Sequence, residues 1–92
     1  MKEKVFTITN RLGLHARPAS LFVQTGAKYQ CTVKVLKLNS GDEFEVNGKS
    51  VMGLMMLAAA SGERVKVVVD GPDEDRALAD FDALFERKFD EQ

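Results

Sequence analysis

A chain of 92 residues with 45% hydrophobic and 29% charged residues has the composition of one small folded domain with a modest core, not of a disordered segment. A formal net charge of −1, with Lys and Arg scattered, excludes broad electrostatic binding to nucleic acid or to an anionic membrane. No apolar stretch is long enough to span a bilayer, and a single cysteine, Cys31, has no internal disulfide partner.

Lys4–Thr9 alternates polar and apolar residues, with Phe6 and Ile8 on one face, and predicts a half-buried strand. Asn10–Leu14 reads as a loop. From Ala16 to Tyr29, the set Ala19, Phe22, Val23 and Ala27 follows helical spacing, with Gly26 on the same face allowing close approach to a sheet. Thr32–Leu38 is β-rich, and Asn39-Ser40-Gly41-Asp42 is a turn signal. Phe44 and Val46 alternate with Glu43 and Glu45 and complete a hairpin.

Ser50 stands as N-cap of a second helix, Val51 to about Ala60, with Gly62 suited to its C-terminus. Arg64–Asp70 is a β-branched run. Gly71-Pro72-Asp73 ends it, and the acidic cluster Asp73, Glu74, Asp75 caps a last helix whose stripe is Ala77, Leu78, Phe81, Leu84 and Phe85. The order βαββαβα predicts an α+β sandwich: one domain over residues 1–92, an antiparallel sheet with helices packed on one face.

The only histidine lies in Gly13-Leu14-His15-Ala16-Arg17-Pro18-Ala19. Neutral imidazole is a nucleophile near pH 7, and Arg17 offers a planar fork of donors for phosphate oxygens. Pro18 suits the first turn of a helix, whose unpaired amides at Ala16 and Arg17 would point back toward His15. Taken alone, a histidine before a helix is an ordinary surface residue; in this setting it can hold a phosphoryl group.

On a helical wheel, Leu21 falls opposite the buried set of the first helix. In the second, Val51, Leu54, Leu57 and Ala58 form one stripe while Met52, Met55, Met56 and Ala59 occupy the other side. A helix apolar all round is either buried or presents a docking face, and methionine suits surfaces that accept several partners. Together with Leu21, these residues would form an apolar patch beside His15, ringed by Arg17, Lys28 and Lys49 and suited to acidic partner proteins. Ser50 has a sufficient role as a cap; its functional reading is regulatory phosphorylation, which would put negative charge beside the methionines. Asn47-Gly48-Lys49-Ser50 ends like a P-loop, but Glu43 stands where the first glycine is required. The ligand pairs of a structural zinc site are absent, and a Ser-His-Asp triad has no supporting context.

The segments "GLHARPA", "NGKSVMG" and "GPDEDRAL" resemble the HPr family, the histidine phosphocarriers of the bacterial phosphoenolpyruvate-dependent phosphotransferase system, and the likeness extends over essentially the whole chain. The resemblance implies an open-faced β-sandwich of four antiparallel strands with three helices on one face. It implies phosphorylation of His15 at Nδ1 by phospho-enzyme I and transfer onward to a histidine of a IIA-type protein. Arg17 matches the phosphate-assisting arginine, and Ala16, Arg17 and Pro18 surround the phosphate. Leu21, Val51, Met52, Met55 and Met56 match the shared docking surface, and Ser50 matches the serine phosphorylated by the HPr kinase/phosphorylase in members under that control. A carrier regenerated by its partners is not a turnover enzyme. It needs no metal or cofactor and is expected to be monomeric and cytoplasmic. The hairpin through "LNSGDEFEV" looks longer than in many HPr proteins, and "TITNRLGLHARPA" and "FERKFDEQ" also resemble the nitrogen-branch carrier, so sugar and nitrogen branches both stay open. A module acting only through phospho-Ser50 is the alternative of another class, but family members of that kind lack the histidine. An unrelated ligand-binding domain would leave "GLHARPA" and the methionine face as coincidences.

Overall fold

The computed structural model describes residues 1–38 and 44–90. The turn expected at residues 39–42 lies outside the described residues, as does the extra hairpin length that adjoins it. The elements are β1 (Lys2–Thr7), α1 (Ala16–Ala27), β2 (Thr32–Lys37), β3 (Phe44–Asn47), α2 (Val51–Leu57), β4 (Arg64–Asp70) and α3 (Glu74–Glu86), followed by a short turn at Lys88–Asp90. The four strands form one antiparallel sheet in the order β1-β4-β2-β3.

Alternation along the strands sends Val33, Val35, Val46, Val65, Val67 and Val69 into the core. Opposite them, Phe22 of α1 stacks on Phe81 of α3, and Phe6 of β1 stacks on Phe85, each with ring centroids 4.3 Å apart. Phe89 closes the cluster edge-on to Phe85 at 4.9 Å. Three consecutive left-handed residues, Lys88, Phe89 and Asp90, turn the chain back to bury that ring. This aromatic seam fixes α1 and α3 on the sheet and so sets where α1 begins.

Several local expectations are corrected. β1 runs two residues earlier than predicted, although Ile8 is buried as expected. α1 stops at Ala27, and Ala27 is exposed; Gly26 is buried in its place, since α1 packs through Ala19, Phe22 and Gly26. Gly26 admits both a helix and the sheet: an added Cβ would lie 3.3 Å from Phe81 of α3 and 3.8 Å from Val33 of β2. Leu21 is half-buried against the core, not turned fully away from it. α2 ends at Leu57 because Ala58 takes a left-handed conformation (φ 53°). That turn leaves Ala58 exposed and buries Ala59, the reverse of the wheel assignment. Gly62 is therefore not the helix terminus; its N–H donates to the Ile8 carbonyl at 2.8 Å, carrying the β1–β4 pairing past the strand ends.

Asp73 precedes α3, yet its carboxylate does not cap that helix. It accepts the backbone N–H groups of Gln30 (2.8 Å) and Cys31 (3.0 Å), tying the α3 turn to the entry of β2. Those bonds, the Gln30 amide foremost, hold the Asp73 carboxyl below the ordinary aspartate value. Asp80 is lowered in the same way, first by the Tyr29 hydroxyl that donates to it at 2.6 Å and then by Lys28. A lowered folded-state pKa stabilises above the unfolded value and is lost as pH falls through the folded one. Asp73→Asn is thus expected to destabilise at pH 7, with the gap from the native protein closing below about pH 4, as read by urea unfolding at both pH values. An equal gap at both would rule out a charged acceptor at this turn.

Candidate functional site

The loop entering α1 is held from inside. Asn10 is fully buried, its Nδ2 donates to the Gly13 carbonyl at 2.7 Å, and the Gly13 N–H returns to the Asn10 carbonyl at 3.2 Å. Gly13 has φ +70°, and a Cβ there would sit 2.4 Å from the Ala59 carbonyl oxygen. The next amide, Leu14 N–H, donates to that same oxygen at 2.9 Å. The backbone of the loop therefore lies directly on the turn that ends α2, a contact only glycine permits.

His15 follows as the N-cap of α1, half-buried, with extended backbone (φ −79°, ψ −171°) and no side-chain cap bond. Its carbonyl accepts the Ala19 N–H at 3.0 Å. Pro18 is buried and carries no N–H, so the first-turn amides toward the histidine are those of Ala16 and Arg17, both exposed. A phosphoryl group on His15 would meet these donors and the positive end of a 12-residue helix, a contribution of about 0.3–2 kcal/mol. Arg17, exposed on the same first turn, can bring its guanidinium to the phosphate oxygens.

Ser50 caps α2, its Oγ accepting the Gly53 N–H at 3.0 Å. Leu54 and Leu57 face the core, while Met52, Met55 and Met56 are 75%, 46% and 67% exposed. Val51 is half-buried and packs on the core beside them. A depression of about 270 Å³ joins the two segments: His15, Leu12 and Leu14 line one side, and Met55 and Ala58–Ala60 the other. A larger hollow of about 400 Å³ at the β2–β3 edge, between Cys31, Lys34, Glu45 and Lys49, contains neither His15 nor Ser50.

The structure thus brings together His15, Ala16, Arg17, Pro18 and Met55 and leaves the expected ring of cations incomplete. Lys28 is the C-cap of α1, at the far end of a helix about 18 Å long, and pairs with Asp80 at 3.0 Å. Lys49 Nζ donates to the Tyr29 carbonyl at 2.7 Å, closing that same far end. Only Arg17 of the three stands at the histidine. Leu12, 70% exposed, and the Ala59 carbonyl belong to the site but were not singled out from sequence. An exposed leucine among turn-forming residues was the one available signal. Among the described residues no group of three or more His, Cys, Asp or Glu could hold a metal, and no helix is long and apolar enough to cross a membrane.

An antiparallel sheet open on one face, with three helices on the other and the only histidine at the head of α1, defines a small α+β open-faced sandwich. Comparison with known proteins makes that class specific. The family model described as "PTS HPr component phosphorylation site" matches residues 2–87. The phosphocarrier protein HPr of Treponema pallidum is 40% identical over 92 residues, covering the whole of both chains. The phosphocarrier protein NPr of Escherichia coli is 43% identical over 84 residues, 91% of this chain and 90% of its own. The crystal structure of HPr from Thermoanaerobacter tengcongensis superposes with a TM-score of 0.90 at 44% identity, covering 100% and 99% of the two chains. The chain belongs to the HPr family of phosphocarrier proteins of the phosphotransferase system. Relatives of both names lie at similar identity, which ranks neither branch above the other.

Proposed function

We propose that His15 is the residue that carries the phosphoryl group, accepting it through Nδ1 from phospho-enzyme I and giving it to a histidine of a IIA-type protein. The carrying observation is its position: the only imidazole in the chain, at the head of α1, with the exposed residues Ala16 and Arg17 in the first turn. In each transfer a P–N bond to the donor breaks as the P–N bond to the acceptor forms. The attacking nitrogen must be unprotonated, and the amides, the helix and Arg17 balance the charge on the oxygens through the transition state. A P–N bond is labile enough to release the group again, as a serine ester is not. Incubated with phosphoenolpyruvate and a catalytic amount of enzyme I, the protein is expected to gain a phosphate that survives alkali and is lost in acid. An acid-stable label would overturn the assignment to histidine.

The partners are read as docking on Met52, Met55, Met56 and Leu12, which are exposed and give the fold little in burial, together with the half-buried Val51 and Leu21; Met55 and Leu12 line one depression with His15. Met52→Glu is expected to weaken enzyme I binding about tenfold or more, with unfolding midpoint nearly unchanged, because Met52 is 75% exposed. Equal losses of binding and stability would make Met52 a core residue. Ser50 is read as the site of regulatory phosphorylation by an HPr kinase/phosphorylase. Its hydroxyl now caps α2, so a phosphate there would be tolerated by the helix and would charge the rim of the methionine face. ATP and that kinase are expected to label the native protein but not Ser50→Ala; label retained in the variant would reject the site.

A further inference from the structure

The apolar residues of α2 divide by chemistry as well as by burial. Those that pack on the core, Leu54, Leu57 and the half-buried Val51, carry no heteroatom, whereas the three that face outward are thioethers. Met52, Met55 and Met56 stand at i, i+3 and i+4 and so form one patch, and Met55 shares with His15 the lining of a depression of about 270 Å³. The remaining methionine, Met1, lies elsewhere, its amino group paired with Asp70 and Glu74. The single thiol offers no competing target: Cys31 is fully buried, and burial raises its pKa, keeping it protonated.

Docking needs this patch to be apolar, but it does not need sulfur. We propose that Met52, Met55 and Met56 form a methionine-sulfoxide modification site, through which a peroxide-class oxidant reversibly closes the docking face and with it phosphoryl acceptance at His15. In each event the peroxide O–O bond breaks and one oxygen becomes bonded to sulfur. The sulfur is oxidised by two electrons, and the peroxide is reduced to water or to an alcohol. The product is polar and chiral, so an apolar partner surface closing over it would leave the S=O groups without hydrogen bonds. The fold is unaffected, since the buried face of α2 and the Ser50 cap contain none of these sulfurs. This proposal rests on the docking reading given above.

The test treats the full chain with hydrogen peroxide until peptide mass spectrometry places an oxygen on each of the three methionines. Circular dichroism and thermal unfolding then check the fold. At limiting carrier concentration, the initial rate of phosphoryl transfer from enzyme I is expected to fall about tenfold or more, with the fold retained. Methionine sulfoxide reductases for both epimers, supplied with a dithiol that is oxidised to its disulfide as the sulfoxide oxygen leaves as water, should restore it. The triple variant Met52→Leu, Met55→Leu, Met56→Leu is read only against its own untreated rate, and peroxide should leave that rate unchanged. Oxidised native protein working within about twofold of its untreated rate would overturn the proposal. So would an equal fractional loss in the leucine variant, or a loss that the reductases do not reverse. Untreated native protein that takes no label overturns the carrier reading itself, and this proposal with it.

Discussion

Replacing His15 by alanine is expected to reduce the label gained from phosphoenolpyruvate and enzyme I to that of a control without carrier, while stability changes by no more than about 1 kcal/mol. The asymmetry follows from the site. His15 is the only imidazole of the chain, so no second nitrogen of that kind can take over the phosphoryl group. Its ring makes no cap bond to α1, and the bond that opens the helix, Ala19 N–H to the residue-15 carbonyl at 3.0 Å, uses backbone that alanine also supplies. Incorporation would be followed by the alkali-stable label and stability by urea unfolding. An alanine variant that still gains alkali-stable label would remove His15 from the centre of the mechanism.

Gly13→Ala is expected to cost about 2–4 kcal/mol of stability and to slow phosphoryl acceptance beyond what the unfolded fraction accounts for. Two separate penalties combine. The backbone at φ +70° is unfavourable for any L side chain, and the new Cβ would meet the Ala59 oxygen at 2.4 Å and the Ala60 Cα at 2.9 Å. Both obstacles are backbone, so no rotamer relieves them. The loop must lift away, which breaks the Leu14 N–H bond to Ala59 and shifts the residue preceding His15. Gly62 provides the comparison: its φ is +90°, but an added Cβ has nothing within 4 Å. Gly62→Ala should therefore show only the conformational penalty, about 1 kcal/mol, and leave phosphoryl acceptance unaffected. Equal behaviour of the two variants in unfolding and in transfer would mean that the contact with α2 does not position the histidine.

Where a segment's own periodicity decides its structure, the sequence was readable almost to the residue. β4 spans Arg64–Asp70 as its β-branched run indicated, and the stripe Ala77, Leu78, Phe81, Leu84, Phe85 faces inward on α3. The start of α1 after His15 and the Ser50 cap were legible for the same reason, since capping involves residues within about one turn. The end of α2 was not. Nothing in Leu57-Ala58-Ala59-Ala60 forbids more helix, and alanine favours it. The left-handed Ala58 is accounted for by Ala59, whose side chain is buried and whose carbonyl receives the Leu14 amide. Asp73 went astray similarly: a local cap was expected, and its partners are the amides of Gln30 and Cys31.

By itself, the sequence determined the strands and helices, the α+β class with helices on one face, and the placing of the only imidazole at the head of α1. It also implied a methionine face beyond what a core needs. These follow from rules acting over a few residues: alternation, helical spacing, capping, and the nucleophilicity of one side chain. Tertiary structure decided the strand order, and it decided which distant groups reach His15. The site gained Leu12 and the Ala58–Ala60 turn around the expected His15 and Met55. Lys28 and Lys49 went to the other end of α1. The physical reason is that such proximity depends on how the aromatic seam docks α1 on the sheet and how the Gly13 loop seats on α2, and both contacts join residues far apart along the chain.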